Sequence, residues 1–168
     1  LVALEELGPA YTWKTEAYAS APVREGVLDG DLYIKGYGDP YLVIEHFWRF
    51  LRALRKGGLN EIRGDLVIDQ GFFEPAPGQA TDFDRRPHRA YNVQPQALLV
   101  NFQAVNFRFL PQQRQQRVQI IADPQPAQLA IDNRVRLTNG PCGGGARAVG
   151  LQVADRAGFQ KMVFSGRY

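Results

Sequence analysis

Two strings decide the fold: Gly30-Asp31-Leu32-Tyr33-Ile34 and its echo Gly64-Asp65-Leu66-Val67-Ile68. In each, a Gly-Asp pair turns the chain and a short apolar run follows, which is a strand signal. Between them, Asp39-Pro40 reads as a helix start: Asp accepts from free amides, and Pro suits the first helical position. Leu42, Val43, Phe47, Phe50, Leu51 and Leu54 then share one broad face. Arg49, Arg52, Arg55 and Lys56 occupy the other side and the last turn, where positive charge suits the helix dipole. Gly57-Gly58 stops the helix. Strand, helix and strand over residues 30–69 predict a parallel crossover, and such crossovers are right-handed.

Upstream, Leu1, Leu4 and Leu7 recur at helical spacing and Gly8-Pro9 ends that helix. Residues 11–18 alternate in strand fashion. Downstream, residues 71–96 hold Pro75, Pro77, Pro87 and Pro95 with little periodicity and read as a long loop, a type that is usually functional or disordered. Leu98-Leu99-Val100-Asn101-Phe102 resumes β character. Val105 to Leu110 alternates, Gln112 to Gln116 is a polar turn, and Val118 to Ile121 is a strand. Val135-Arg136-Leu137 reads as another strand, Gly143 to Gly145 as a joint, and 148–153 with 161–165 as a closing hairpin. The fold class is α+β, with a β-rich second half.

Apolar residues make up 45% and charged residues 22% of the 168, the balance of a globular protein. No apolar run approaches the roughly 20 residues that span a bilayer. The net charge of +3 comes mostly from dispersed arginines, whereas nucleic-acid surfaces cluster theirs. The single cysteine, Cys142, cannot staple the fold by itself. No cofactor and no metal is expected. His46 and His88 share no metal-ligand spacing with each other or with Cys142, and Gly36-Tyr37-Gly38 lacks the third glycine of a dinucleotide fingerprint.

Serine catalysis needs a base beside the hydroxyl. Ser20 is followed three places later by Val23, and Ser165 by Tyr168, so neither forms Ser-x-x-Lys. Lys14-Thr15-Glu16 has glutamate where a Lys-Thr-Gly strand has glycine. The chain is expected to lack a catalytic residue. Beginning at Leu1 without Met and with the tail of a helix, it reads as an internal piece of a longer protein.

Several strings in order resemble peptidase family S13, the class C penicillin-binding D-alanyl-D-alanine carboxypeptidases. They are Ala3-Leu4-Glu5-Glu6-Leu7-Gly8-Pro9-Ala10-Tyr11 with Thr15-Glu16, the run Gly30 to Pro40, Ile62 to Asp69, Tyr91-Asn92-Val93 through Pro95 to Phe102, and Phe164 to Tyr168. The resemblance implies a penicillin-binding domain interrupted between its Ser-x-x-Lys and Ser-x-Asn motifs by two inserted domains, one nested in the other. Residues 1–16 would be a remnant of the catalytic domain, 17–105 with 145–168 the outer α/β insertion, and 106–144 the nested β-rich domain. The nucleophile would precede Leu1, and the Ser-x-Asn and Lys-Thr-Gly motifs would follow Tyr168.

The implied parent is a periplasmic serine-type carboxypeptidase with no cofactor. Its partners would be peptidoglycan stem peptides and β-lactams, with no nucleic acid and no transmembrane segment in this chain. By the same resemblance, an acidic residue and an aromatic before the Pro-x-Ala-Leu run receive the amine-bearing end of the stem peptide. Tyr91 is the aromatic match and Asp84 the nearest acid, with Asp82 competing. A carboxylate suits an amine through charge-assisted hydrogen bonds. Two other readings stand beside this one. One is a stand-alone cell-wall or protein-binding module. The other is a nucleic-acid binder built on Arg85, Arg86 and Arg89 with Phe83 and Tyr91, whose affinity would fall steeply with salt.

Overall fold

A computed structural model describes residues 2–74, 77–138, 148–156 and 158–168, with Arg156 described in its backbone alone. The chain divides into two compact units, 1–104 and 105–168. Cys142 and Gly143 to Gly145 lie outside the described residues.

The first unit runs α1 (Val2–Leu7), β1 (Thr15–Ala19), β2 (Val23–Arg24), β3 (Val27–Leu28), β4 (Leu32–Gly36), α2 (Ile44–Lys56), β5 (Glu61–Ile62) and β6 (Leu66–Asp69). The strands form two three-stranded sheets, ordered β1-β4-β6 and β2-β3-β5. The Gly-Asp-Leu echo is a register mark: β4 and β6 are parallel, with Leu32 opposite Leu66 and Ile34 opposite Ile68. The joint is tight. Asp31 Oδ1 accepts from Asp65 N at 2.8 Å, and Gly64 N donates to Gly30 O at 3.1 Å. A Cβ on Gly64 would lie 2.5 Å from the Gly30 carbonyl, so only glycine fits. Ser20 Oγ accepts from Asp31 N at 2.7 Å and thereby anchors the end of β1 to the same turn.

The crossover helix packs Phe47 and Phe50 against Ile34, Leu42 and Leu98, the buried centre of this unit. Each fully buried side chain of this centre contributes about 1.5–3 kcal/mol relative to leaving it exposed, and the half-buried phenylalanines less. The helix ends as its sequence predicts: Gly57 N donates to Ala53 O, and Gly58 takes the left-handed φ of +97°. Its start differs. Asp39 Oδ1 accepts from Tyr41 N at 2.8 Å and so closes a turn, while the helix begins at Ile44, after an extended Val43 without a side-chain cap. Leu42 explains the delay, because its side chain is buried in the core and its carbonyl accepts from Asn101 N at 2.8 Å.

Residues 98–102 are not a strand. Gln70 takes the place of a neighbouring strand: its Oε1 accepts from Leu98 N at 2.8 Å and its Nε2 donates to Leu98 O at 3.0 Å. Asn101, Phe102 and Gln103 then turn with φ of 51°, 54° and 49°. The strand expected over 11–18 is confined to Thr15–Ala19.

The second unit is a five-stranded sheet of β7 (Asn106–Gln112), β8 (Arg117–Asp123), β9 (Leu129–Arg136), β10 (Val149–Arg156) and β11 (Phe159–Arg167), ordered β10-β11-β9-β8-β7. The polar turn and the closing hairpin stand where the sequence places them. The strand expected at 135–137 is longer and starts at Leu129. The sequence reading sets residues 145–168 with 17–105. β11 runs parallel to β9 from Gln160 opposite Leu129 to Arg167 opposite Arg136, so residues 149–167 share one sheet with 106–136. Phe164, Val118 and Val135 close the core of this sheet, and Phe107 and Phe109 pack on Phe164.

Candidate functional site

The long loop carries the predicted site residues, and its described stretch 77–94 is braced by its own side chains. Gln94 Nε2 donates to Gly78 O at 2.6 Å and clasps its two ends. Asp82 Oδ2 accepts from Gln79 N at 2.7 Å and serves that turn. Arg85 adopts a left-handed φ of 58°, which bends the chain so that Asp84 looks back on the residues that follow. Asp84 Oδ2 accepts from Tyr91 OH at 2.6 Å; its Oδ1 accepts from Asn92 Nδ2 at 2.6 Å and from Arg86 N at 3.0 Å. Of the two acids, Asp84 is the one hydrogen-bonded to Tyr91.

The Tyr91 hydrogen bond, with those of Asn92 and Arg86, holds the Asp84 carboxyl below its ordinary range. The same bond pushes the Tyr91 phenol up, because ionising it would set two anions together. Three donors occupy Asp84, and a carboxylate has about four acceptor positions. One place on Oδ2 is left for a further donor. Tyr91 is exposed, and Phe83 stands edge-on to its ring at 6.3 Å. Thr81 to Arg85, Asp84 among them, line an open hollow of about 860 Å³. Asn92, the buried polar side chain beneath Asp84, also donates to Arg86 O at 2.9 Å. Sequence reasoning missed Asn92, although it sits in the Tyr91-Asn92-Val93 string.

A second polar cluster was missed altogether. Glu16, Lys35 and Asp69 stand side by side across β1, β4 and β6. Glu16 accepts from Lys14 Nζ at 3.1 Å, from Tyr18 OH at 2.7 Å and from Tyr37 OH. Those bonds, Tyr37's foremost, lower its carboxyl to about 2, and Glu16 in turn raises Tyr18 to about 12. Lys14 lies 4.2 Å from the centre of the Tyr37 ring, and Lys35 pairs with Asp69 at 3.5 Å. Every group here has a partner of opposite character, so the cluster ties strands together. Lys14-Thr15-Glu16 therefore serves structure.

Neither serine is hydrogen-bonded to a lysine or histidine among the described residues. His46 is exposed, with its ring edge-on to Tyr41 at 5.6 Å, and His88 is exposed in the loop. Among the described residues no group of His, Cys, Asp and Glu is arranged to hold a metal, and no helix is long and apolar enough to cross a membrane.

Comparison with known proteins bears on this arrangement. Residues 1–155 match the D-Ala-D-Ala carboxypeptidase 3 (S13) family. The chain is 32% identical over 158 residues to a D-alanyl-D-alanine carboxypeptidase of an Actinomadura species, covering 92% of this chain and 29% of that protein. It is 33% identical over 67 residues to D-alanyl-D-alanine carboxypeptidase DacB of Haemophilus influenzae, covering 40% of this chain and 14% of that one. The fold is similar to the crystal structure of penicillin binding protein 4 from Haemophilus influenzae, with a TM-score of 0.62 at 21% identity, over 98% of this chain and 36% of that one. A structure of the same protein complexed with a β-lactam gives a TM-score of 0.53 at 22% identity. The chain thus spans less than a third of the length of the curated relatives it matches. With the match running through both the helix-bearing unit and most of the sheet, the chain belongs to the D-Ala-D-Ala carboxypeptidase 3 (S13) family.

Proposed function

We propose that this chain is the non-catalytic insertion of a serine-type D-Ala-D-Ala carboxypeptidase and endopeptidase of the periplasm. The parent would trim peptidoglycan stem peptides through an acyl-serine intermediate and be blocked by β-lactams. The family match over residues 1–155 carries the reading. The lack of a serine paired with a base among the described residues agrees with a nucleophile outside the chain. Residues 1–16 would belong to the catalytic domain, 17–104 to the outer insertion, and the unit 105–168 would be nested beyond it. The test is exposure of the purified 168-residue chain to labelled penicillin, beside the full-length parent. The parent should become covalently labelled and the chain should not. A covalent adduct on the chain would sink the assignment.

Within the parent, Asp84 and Tyr91 would receive the amine at the end of the stem-peptide side chain. The free acceptor position on Asp84 supports this reading, since an ammonium can complete the carboxylate's set of donors. Asp84→Asn in the full-length enzyme keeps the size of the side chain and removes its charge. Turnover of diaminopimelate-bearing peptides is expected to fall about tenfold, the scale of one charge-assisted hydrogen bond. Peptides lacking that amine should be turned over as before. Equal turnover of both peptides by the variant would refute the role. A stand-alone binding module would instead show saturable binding of cell wall or protein by the isolated chain, with no Ser-x-x-Lys in the parent gene.

A further inference from the structure

Helix α2 has a second apolar stripe that the first unit's core does not use. At about 100° per residue, Ile44, Trp48 and Leu51 line up on consecutive turns, apart from the core-facing Phe47 and Phe50. They are 40%, 56% and 41% exposed. A contiguous exposed apolar patch marks an interaction surface, whereas scattered exposed residues do not.

Four cations border the stripe: Arg49, Arg52, Arg55 and Lys56, against the single acid Glu45 of this helix. Among the described residues none of the four forms an ion pair with a carboxylate. The Arg52 guanidinium lies 5.3 Å from the centre of the Trp48 ring, and Arg55 donates to Asn60 O at 2.6 Å. Two hollows flank Trp48. One, of about 440 Å³, lies between Trp48, Leu51, Arg52, Arg55 and Lys56; the other, of about 400 Å³, between Ile44, Glu45, Trp48 and Arg49.

We propose that this face of α2 docks on a lipid bilayer surface that carries anionic headgroups. Trp48, Ile44 and Leu51 enter the boundary between headgroups and acyl chains, and the four cations lie against phosphates. An apolar stripe edged by basic residues is the pattern of an interfacial helix, and tryptophan favours that boundary because its ring is apolar and its N–H polar. Charge complementarity selects the occupant. A second copy of the face would set like charges together. A folded acidic partner would need carboxylates at fixed matching places, whereas mobile headgroups can gather around cations spread over a wide arc. The helix is too short to span the bilayer, so the association is peripheral. This inference stands apart from the stem-peptide reading.

The experiment uses the 168-residue chain with Trp13→Phe, so that Trp48 is the only indole reporter. It is mixed with vesicles of neutral phosphatidylcholine, or of phosphatidylcholine with roughly 30% phosphatidylglycerol, a strongly anionic surface. Trp48 emission should shift to the blue and the chain should sediment with the anionic vesicles only. Association should be lost as salt rises from about 0.05 M to about 0.5 M. Arg49→Gln, Arg52→Gln and Lys56→Gln together should lower partitioning about a hundredfold at low salt. Trp48→Ala, followed by sedimentation, should lower it about tenfold. Circular dichroism checks that each variant keeps its fold. Failure to bind, equal binding to neutral vesicles, or binding untouched by these substitutions overturns the proposal. So does equal retention by soluble polyglutamate that ignores Trp48→Ala, which is the result an acidic protein partner would give.

Discussion

Gly36→Ala is expected to lower the stability of the first unit by about 3 kcal/mol or more, the range of overpacking that a side chain cannot relieve by rotating. Gly36 ends β4, and a Cβ there would fall on the Ala97 carbonyl and lie 2.5 Å from Leu98 N. Both are backbone atoms held in place. Gly38 N donates to Ala97 O at 2.8 Å, and Leu98 is tied to Gln70. The substitution therefore pushes apart the two segments that bring Ile34 and Leu98 together. Gly38→Ala is the comparison. Gly38 sits at a φ of +80°, and its Cβ would press on the Phe73 ring, a side chain that is 40% exposed and can move. Its cost should be about 1–2 kcal/mol, the penalty of a left-handed non-glycine residue. Urea unfolding followed by circular dichroism reads both values. A Gly36→Ala loss below that of Gly38→Ala would contradict the close approach of residues 36 and 97.

That approach also shows where reading the sequence succeeds and where it stops. The crossover was legible because local signals agree: two Gly-Asp turns, an amphipathic helix and a Gly-Gly stop each act within a few residues. The start of α2 was misread because Asp39-Pro40 is equally good turn chemistry, and the tertiary demand on Leu42 decides between the two. Residues 98–102 look like a strand because apolar β-branched and aromatic residues favour pleated surfaces. Their backbone partner is the amide of Gln70, which no periodicity reveals. The placement of 149–167 depended on a parallel pairing of β11 with β9 across a long separation, a choice that strand patterns leave open.

The candidate site was half visible. Asp84 and Tyr91 could be named, but six residues lie between them, the left-handed Arg85 among them, so their hydrogen bond could not be read from spacing. Asn92 was hidden for a related reason. Its role is to hold a carboxylate from below, and buried asparagines of that kind carry no motif. The Glu16 row was hidden because its three residues come from three separate strands and meet only through register.

Phe164→Ala should have the largest effect in the second unit, a loss of about 3–5 kcal/mol, the usual cost of emptying a buried phenylalanine site. Phe164 is 4% exposed and lies with Val118 and Val135 at the centre of that unit. Its ring centre is 4.9 Å from that of Phe107 and 5.5 Å from that of Phe109, so one truncation strips contacts from two further aromatics. A unit of this size has little stability to spare. It also lies on the strand through which β10 and β9 are joined. The variant is expected to lose hydrogen-exchange protection along β8, β9 and β11. Phe159→Ala is the control on the same strand. Phe159 is 41% exposed, and its loss should cost less than about 1 kcal/mol. If the two variants lost protection equally, Phe164 would not be the keystone of this sheet, and the parallel pairing of β11 with β9 would have to be held by its backbone ladder alone.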